Sequence, residues 1–203
     1  MNSFVTVKGG EYEFEISKSR FIAFCGRVRT DAEANGILAE LRKKYKDCTH
    51  ICYAYVSGES ARSSDDGEPA GTAGAPIAEC IRTAGLSETM VSVVRYFGGV
   101  KLGAGGLVRA YTKAASESIA RAKRVEAADC ELVRAEFDYS VWKKIEKRVV
   151  QSLYKITALE YNRTVDVTYA AISASDLEEE LCSLTQGKCA FKRLGNCRVE
   201  RDL

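Results

Sequence analysis
The sequence predicts an α+β protein, with an N-terminal α/β sandwich over residues 1–128 followed by a ferredoxin-like βαββαβ domain over residues 129–203. Three observations carry that expectation. Apolar residues switch between the strand and helix periods in the order βββαβαβα. The pattern restarts at residue 129 as βαββαβ, with no long linker before it. Both prolines and half of the sixteen glycines crowd into two segments, 65-DDGEPAGTAGAPI-77 and 98-GGVKLGAGG-106. Each is flanked tightly by periodic apolar sequence, which marks a site or tight loop rather than a linker.

Strands are expected at 4–8, 11–17 and 20–28, where apolar and polar residues alternate. A helix follows from about residue 31, because Thr30 and Glu33 form a capping box ahead of Ala34, Ile37, Leu38 and Leu41. A strand at 50–57 leads into the first glycine segment, then a short helix at 75–84 and the strand 89-TMVSVVRYF-97, rich in β-formers. After the second segment, a helix over about 105–124 carries Leu107, Val108, Tyr111, Ala114, Ala115 and Ile119. This order suggests a sheet covered by helices on one face. From 129, the strand 130-CELVRAEFDY-139 precedes a helix opened by Ser140, with Trp142, Ile145, Val149 and Leu153 at helical spacing. Strands at 156–161 and 164–171 follow, then a helix over 176–185 with Ser175 and Glu178 as its capping box, then a strand at 189–199.

With 46% hydrophobic and 29% charged residues and a mean hydropathy of -0.19, the chain is neither disordered nor fibrous. Its longest apolar runs, such as Met90–Val94 around Ser92, fall far short of the ~20 residues of a bilayer span. The start, MNSFVTVKGGEYEFEI, alternates and is charged where an export signal would be continuously apolar. A cytoplasmic protein without membrane partners is expected, and its eight cysteines, none in a Cys-x-x-Cys pair, read as reduced thiols. The net charge of +2 gives no global field toward nucleic acid, and no DNA specificity is inferred. Any such binding must come from local patches.

The strongest local signal is strand, glycine loop, helix at 90–122. Successive backbone N–H groups in such a loop, with the unpaired donors at a helix start, suit phosphate or another anion. Lys101, Arg109 and Lys113 can add cations. The spacing nearly matches two phosphate-loop patterns and fits neither, since Ala104 and Gly105 replace the Walker lysine and hydroxyl, and Val108 replaces the third dinucleotide glycine. The same glycines also serve a tight loop needing positive φ or close packing. In the first segment, Asp65, Asp66 and Glu68 can hold Mg²⁺ against a phosphate, or pair with Arg95, Lys101 or Arg109, or simply build a turn.

The candidate anion or partner site therefore draws Arg62, Asp65, Asp66, Gly67, Glu68, Thr72 and Gly74 from the first segment. From the second come Arg95, Tyr96, Gly98, Gly99, Lys101, Gly103, Gly105, Gly106, Arg109 and Lys113. His50, the single histidine, is a further candidate. Strand alternation puts Cys48, His50 and Cys52 on one face. Same-face residues stand about 6.6–6.8 Å apart along a strand, too far for all three to reach one zinc at ~2.0–2.3 Å. No metal ligands, cofactor or catalytic residues are expected. Basic helical stretches at Arg42–Lys46, Arg109–Arg124 and Lys143–Arg148 read singly as solvated faces.

The two segments 62-RSSDDGEPAGTAGAP-76 and 95-RYFGGVKLGAGGLVRAY-111 resemble the signature of the Impact family, and His50 with Tyr53 and Ala54 also fits its pattern. Ala78 departs from it, where the family usually has a bulky aliphatic residue. The two-domain length is similar to the bacterial, YigZ-type branch. The resemblance implies an N-terminal domain like the second domain of ribosomal protein S5, and a fold pair similar to the fourth and fifth domains of elongation factor G. It implies a translation-associated regulator that binds RNA, the ribosome or a translation factor without catalysis. Two other functions stay open: an Mg²⁺-dependent enzyme on a phosphorylated small molecule, and a pure protein-interaction module.

Overall fold
The computed structural model describes residues 3–57, 60–150 and 155–203, the side chains of 148–150 excepted. Arg148, Val149 and Leu153, assigned above to a basic and an apolar helix face, therefore lie outside the described side chains. Contacts divide the chain into two compact units, one built on Phe4–Glu126 with Asp202–Leu203, the other on Ala127–Arg201.

The first unit carries β1 (Ser3–Lys8), β2 (Gly10–Ile16), β3 (Ser19–Arg27), α1 (Asp31–Lys44), β4 (His50–Ser57), β5 (Ser60–Ser64), α2 (Gly74–Thr83), β6 (Thr89–Tyr96) and α3 (Gly103–Arg121). Its antiparallel sheet has the order β2-β3-β6-β4-β5. Central β6 sets Arg95 opposite Phe21 on β3 and His50 on β4. Thr30 caps α1 as expected, accepting from Glu33 N at 3.2 Å, while the Glu33 carboxylate reaches back one residue further, to Arg29 N.

Helices cover both faces of this sheet, not one. On one side α2 and α3 enclose Phe21, Cys52, Ala54, Ile77, Val91, Val93 and Tyr111. On the other, α1 brings Ala34, Leu38 and Leu41 against Ile22, Ile51, Tyr55, Met90 and Val94. An apolar stripe says that a helix is buried, but not on which side of a sheet. The better clue was β6 itself, buried from Thr89 through Arg95 without a solvent-facing position. β5 was not anticipated: its sequence SARSS has no apolar alternation, and it exists as an edge partner of β4.

The second unit runs β7 (Lys123–Phe137), α4 (Tyr139–Val150), β8 (Lys155–Tyr161), β9 (Val165–Ala171), α5 (Ala174–Thr185) and β10 (Ala190–Asp202). The strand order β10-β7-β9-β8 is ferredoxin-like. Its core gathers Val133, Phe137, Trp142, Ile145, Val167, Tyr169, Leu177 and Leu181. Two local expectations are corrected. Ser173, not Ser175, caps α5 by accepting from Asp176 N at 3.2 Å, and Glu178 binds Arg193 instead of closing a capping box. The strand expected at 130–139 begins at Lys123, and the division between the units at Glu126 and Ala127 falls within it.

Candidate binding site
The first glycine segment is folded by its own carboxylates. Asp65 Oδ1 accepts from Ala73 N at 3.0 Å and Gly74 N at 2.8 Å, and Oδ2 from Gly71 N at 2.8 Å. It thereby satisfies the start of α2, whose N-cap position, Ala73, has no side-chain acceptor. Desolvation pushes Asp65 up, but the three N–H donors outweigh it and hold its pKa below the ordinary carboxylate value. Asp66 accepts from Ile51 N at 2.7 Å and from Arg42 at 3.3 Å, while its carbonyl accepts from His50 Nδ1 at 2.7 Å. Both aspartates are occupied in shaping the turn, so they are not a free pair for Mg²⁺. Thr72 donates to the Pro69 carbonyl at 2.7 Å.

Glu68 points elsewhere, into the interior. Its Oε1 accepts from Arg95 Nη1 at 2.5 Å and from the Tyr111 hydroxyl at 2.7 Å. Arg95 Nη2 reaches Ser19 Oγ at 3.3 Å, its Cζ lies 5.3 Å from the Phe21 ring centre, and its buried Nε has no hydrogen-bond partner. Behind Tyr111, the Cys52 thiol lies 3.2 Å from the phenol oxygen and 3.0 Å from the Asp65 carbonyl. Burial pushes the Cys52 thiol up to about 12, and burial followed by the neighbouring Cys52 and Glu68 raises the Tyr111 phenol far above its ordinary value. Both therefore stay protonated, and Tyr111 is a standing donor to Glu68.

A cavity of about 370 Å³ opens where the two glycine segments meet, lined by His50, Glu68, Arg95, Phe97, Lys101 and Gly103 among others. A larger groove of about 590 Å³ between α2 and α3 takes Pro76 alone from the two loops. At Gly98 a Cβ would fall 2.0 Å from the Lys18 carbonyl, so close packing dictates glycine there. Gly105 is different. Its space is open, the nearest atom to an added Cβ being Arg109 Nη1 at 3.6 Å, and no positive φ requires glycine. Gly105 leaves one position of the first turn of α3 without a side chain, Ala104 and Leu107 of that helix line the cavity, and the helix has no side-chain cap.

Of the remaining candidates, Gly67 faces the His50 ring, which a Cβ added there would meet at 3.4 Å, Gly74 starts α2 against Ser64, and Gly99 and Gly106 belong to the loop and the first turn of α3. Arg62 is bound to Asp31 at 2.8 Å, Tyr96 packs with the α1-side core, and Lys113 lies 4.8 Å from the Phe14 ring centre. None of these three lines the cavity. Cys48 and Cys52 do not share a face: Cys48 precedes β4 and packs on the α1 side, whereas Cys52 sits in the α2–α3 core. Sequence reading missed Phe97, Ser19, Tyr111 and Cys52 as members of the constellation; Phe97 was visible as an aromatic residue beside Gly98.

An α/β sandwich paired with a ferredoxin-like unit, with a buried Glu–Arg pair flooring a glycine-loop cavity, defines a two-unit α+β protein with a built loop site. Residues 17–119 match the Impact N-terminal domain. The chain is 39% identical over 198 residues to the IMPACT family member YvyE of Bacillus subtilis, covering 95% of this chain and 91% of that one. It is 43% identical over 102 residues to the IMPACT family member YigZ of Escherichia coli, covering 48% and 50% respectively. A crystal structure of a protein described as hypothetical aligns with TM-score 0.65 and 28% identity, over 94% of this chain and 97% of that one. The chain belongs to the Impact family.

Proposed function
We propose that this chain is a non-catalytic, cytoplasmic translation-associated regulator that binds RNA, alone or within ribosomal particles, at the loop cavity. Family membership supports the translation link. The observation that carries the reading is the cavity's chemistry: Lys101 and the uncapped start of α3 lie on its wall, beside Phe97, which is 45% exposed. Phosphate suits the donors, and a base suits the ring. The Glu68 charge is offset by Arg95, so it does not repel the strand's phosphates. An Mg²⁺ enzyme is less well supported, because Asp65 and Asp66 are held by backbone donors and Glu68 by Arg95 and Tyr111. No helix among the described residues is long and apolar enough to cross a membrane.

The test is affinity for single-stranded RNA, by fluorescence anisotropy, and co-sedimentation with ribosomal particles across a salt series. Binding should weaken linearly in log–log form, by ~0.7 per phosphate contact. Absence of salt-dependent affinity for either would replace RNA with a protein partner.

A further inference from the structure
His50 Nδ1 lies 2.7 Å from the Asp66 carbonyl oxygen, which can only accept, so Nδ1 carries the proton. In the neutral ring Nε2 is then a bare acceptor. It stands 3.9 Å from Glu68 Oε2, too far for a direct hydrogen bond. Oε2 is itself an acceptor, because both Arg95 and Tyr111 donate to Oε1. Among the described residues, no hydrogen-bond donor reaches either atom. Two acceptors held by separate hydrogen-bonded frameworks therefore face one another on the cavity wall, and a hydroxyl seated between them donates its single proton to one at a time.

Around that gap the cavity offers Phe97 on one side and Lys101 with the start of α3 on another. A ligand matched to all of these has a hydroxyl donor, an aromatic base and a phosphate on one unit of modest size. We propose that the cavity takes a single ribonucleotide of an RNA strand and that the His50 Nε2–Glu68 Oε2 pair reads its ribose 2′-hydroxyl. This deepens the RNA reading and rests on it. It makes the site a discriminator of RNA from DNA, the 2′-hydroxyl being the group that differs.

The experiment compares wild-type affinity for a uridine oligomer as RNA, for the same oligomer with 2′-fluorine, and for its deoxy form, by anisotropy at one salt concentration. Fluorine preserves the size and ribose pucker of RNA but cannot donate. RNA should bind about tenfold more tightly than either of the others, the scale of one well-made hydrogen bond to a charged group. His50→Phe removes one of the two acceptors and should narrow the difference between RNA and the 2′-fluoro strand. Because the wild-type comparison needs no variant, a folding defect in His50→Phe leaves the test intact. Equal affinity for all three strands overturns the 2′-hydroxyl assignment while leaving nucleic-acid binding standing. No affinity for any of them overturns both.

Discussion

Arg95 Nη1 meets Glu68 Oε1 at 2.5 Å, with only 5% and 4% of the two side chains exposed. A strand residue and a loop residue are thus locked together beneath the cavity, and the first glycine segment is tied to the sheet by a charge pair that neither partner can leave cheaply. A buried pair is weak evidence for net stability, but its halves are not separable.

Arg95→Met should therefore destabilise the protein by about 3–5 kcal/mol, because Glu68 is left charged and buried. Adding Glu68→Met should recover part of that loss. Urea unfolding of the single and double variants checks both; a double variant less stable than Arg95→Met would show that the uncompensated charge is not the cause.

Asp65 gives the first glycine segment a pH dependence. Its carboxylate is depressed in the folded state, so its contribution is complete above the unfolded value of ~3.9 and is lost as pH falls through the lower folded value. Asp65→Ala should cost about 1–3 kcal/mol at neutral pH by stranding donors of residues 71–74. The gap to wild type should narrow below pH 4. A gap that stays constant down to pH 2 would assign the stabilisation to something other than the ionised carboxylate.

The parts of the fold set by local pattern were legible. Thr30 capping α1, the strand–loop–helix around the second glycine segment, and the βαββαβ order all follow from spacing and turn chemistry. What depends on long-range packing was not: the face that α1 covers, and the edge strand Ser60–Ser64, which has no apolar signal of its own. The site divides the same way. Glu68 and Arg95 were both identifiable as candidates, but three acids so close in sequence read alike until the turn directs Asp65 to the start of α2, Asp66 to β4 and Glu68 to β6. The partners Ser19 and Tyr111 come from distant parts of the chain, Ser19 being 76 residues from Arg95 and Tyr111 43 residues from Glu68.

Burial pushes the thiols of Cys25 and Cys52 up to about 12, while Cys182 is exposed. At pH 8 iodoacetamide should modify Cys182 within minutes and leave Cys25 and Cys52 unmodified until the protein is unfolded. Peptide mass mapping reads this directly, and rapid native labelling of Cys52 would contradict its packing between Tyr111 and the Asp65 carbonyl.

Residues 1–128 should fold as an independent domain, since Phe4–Glu126 contains both faces of its own sheet. The fragment loses the Lys8–Asp202 and Lys123–Asp202 ion pairs and the Leu203–Arg124 hydrogen bond, all exposed or terminal, so the penalty should be small. Cooperative thermal unfolding of the fragment checks this; a broad, non-cooperative transition would mean that residues 129–203 are needed for the first unit to fold.

The final prediction separates a local RNA site from diffuse attraction to a basic surface. Lys101 lines the cavity and is exposed, and Arg109, though outside the lining, reaches back toward Gly105 in the first turn of α3, whereas Arg62 is bound to Asp31 and Lys113 lies over Phe14. If phosphate is held at the cavity, Lys101→Ala and Arg109→Ala should each weaken RNA binding and flatten its log–log salt slope by ~0.7. Arg62→Ala and Lys113→Ala should change the slope by much less, though all four remove one positive charge. Because Lys101 and Arg109 are exposed, their removal should leave stability within ~0.5 kcal/mol, so a loss of affinity would not be a loss of fold. Equal flattening by all four variants would mean that the strand follows net charge across the surface. The cavity would then have no privileged role in holding it.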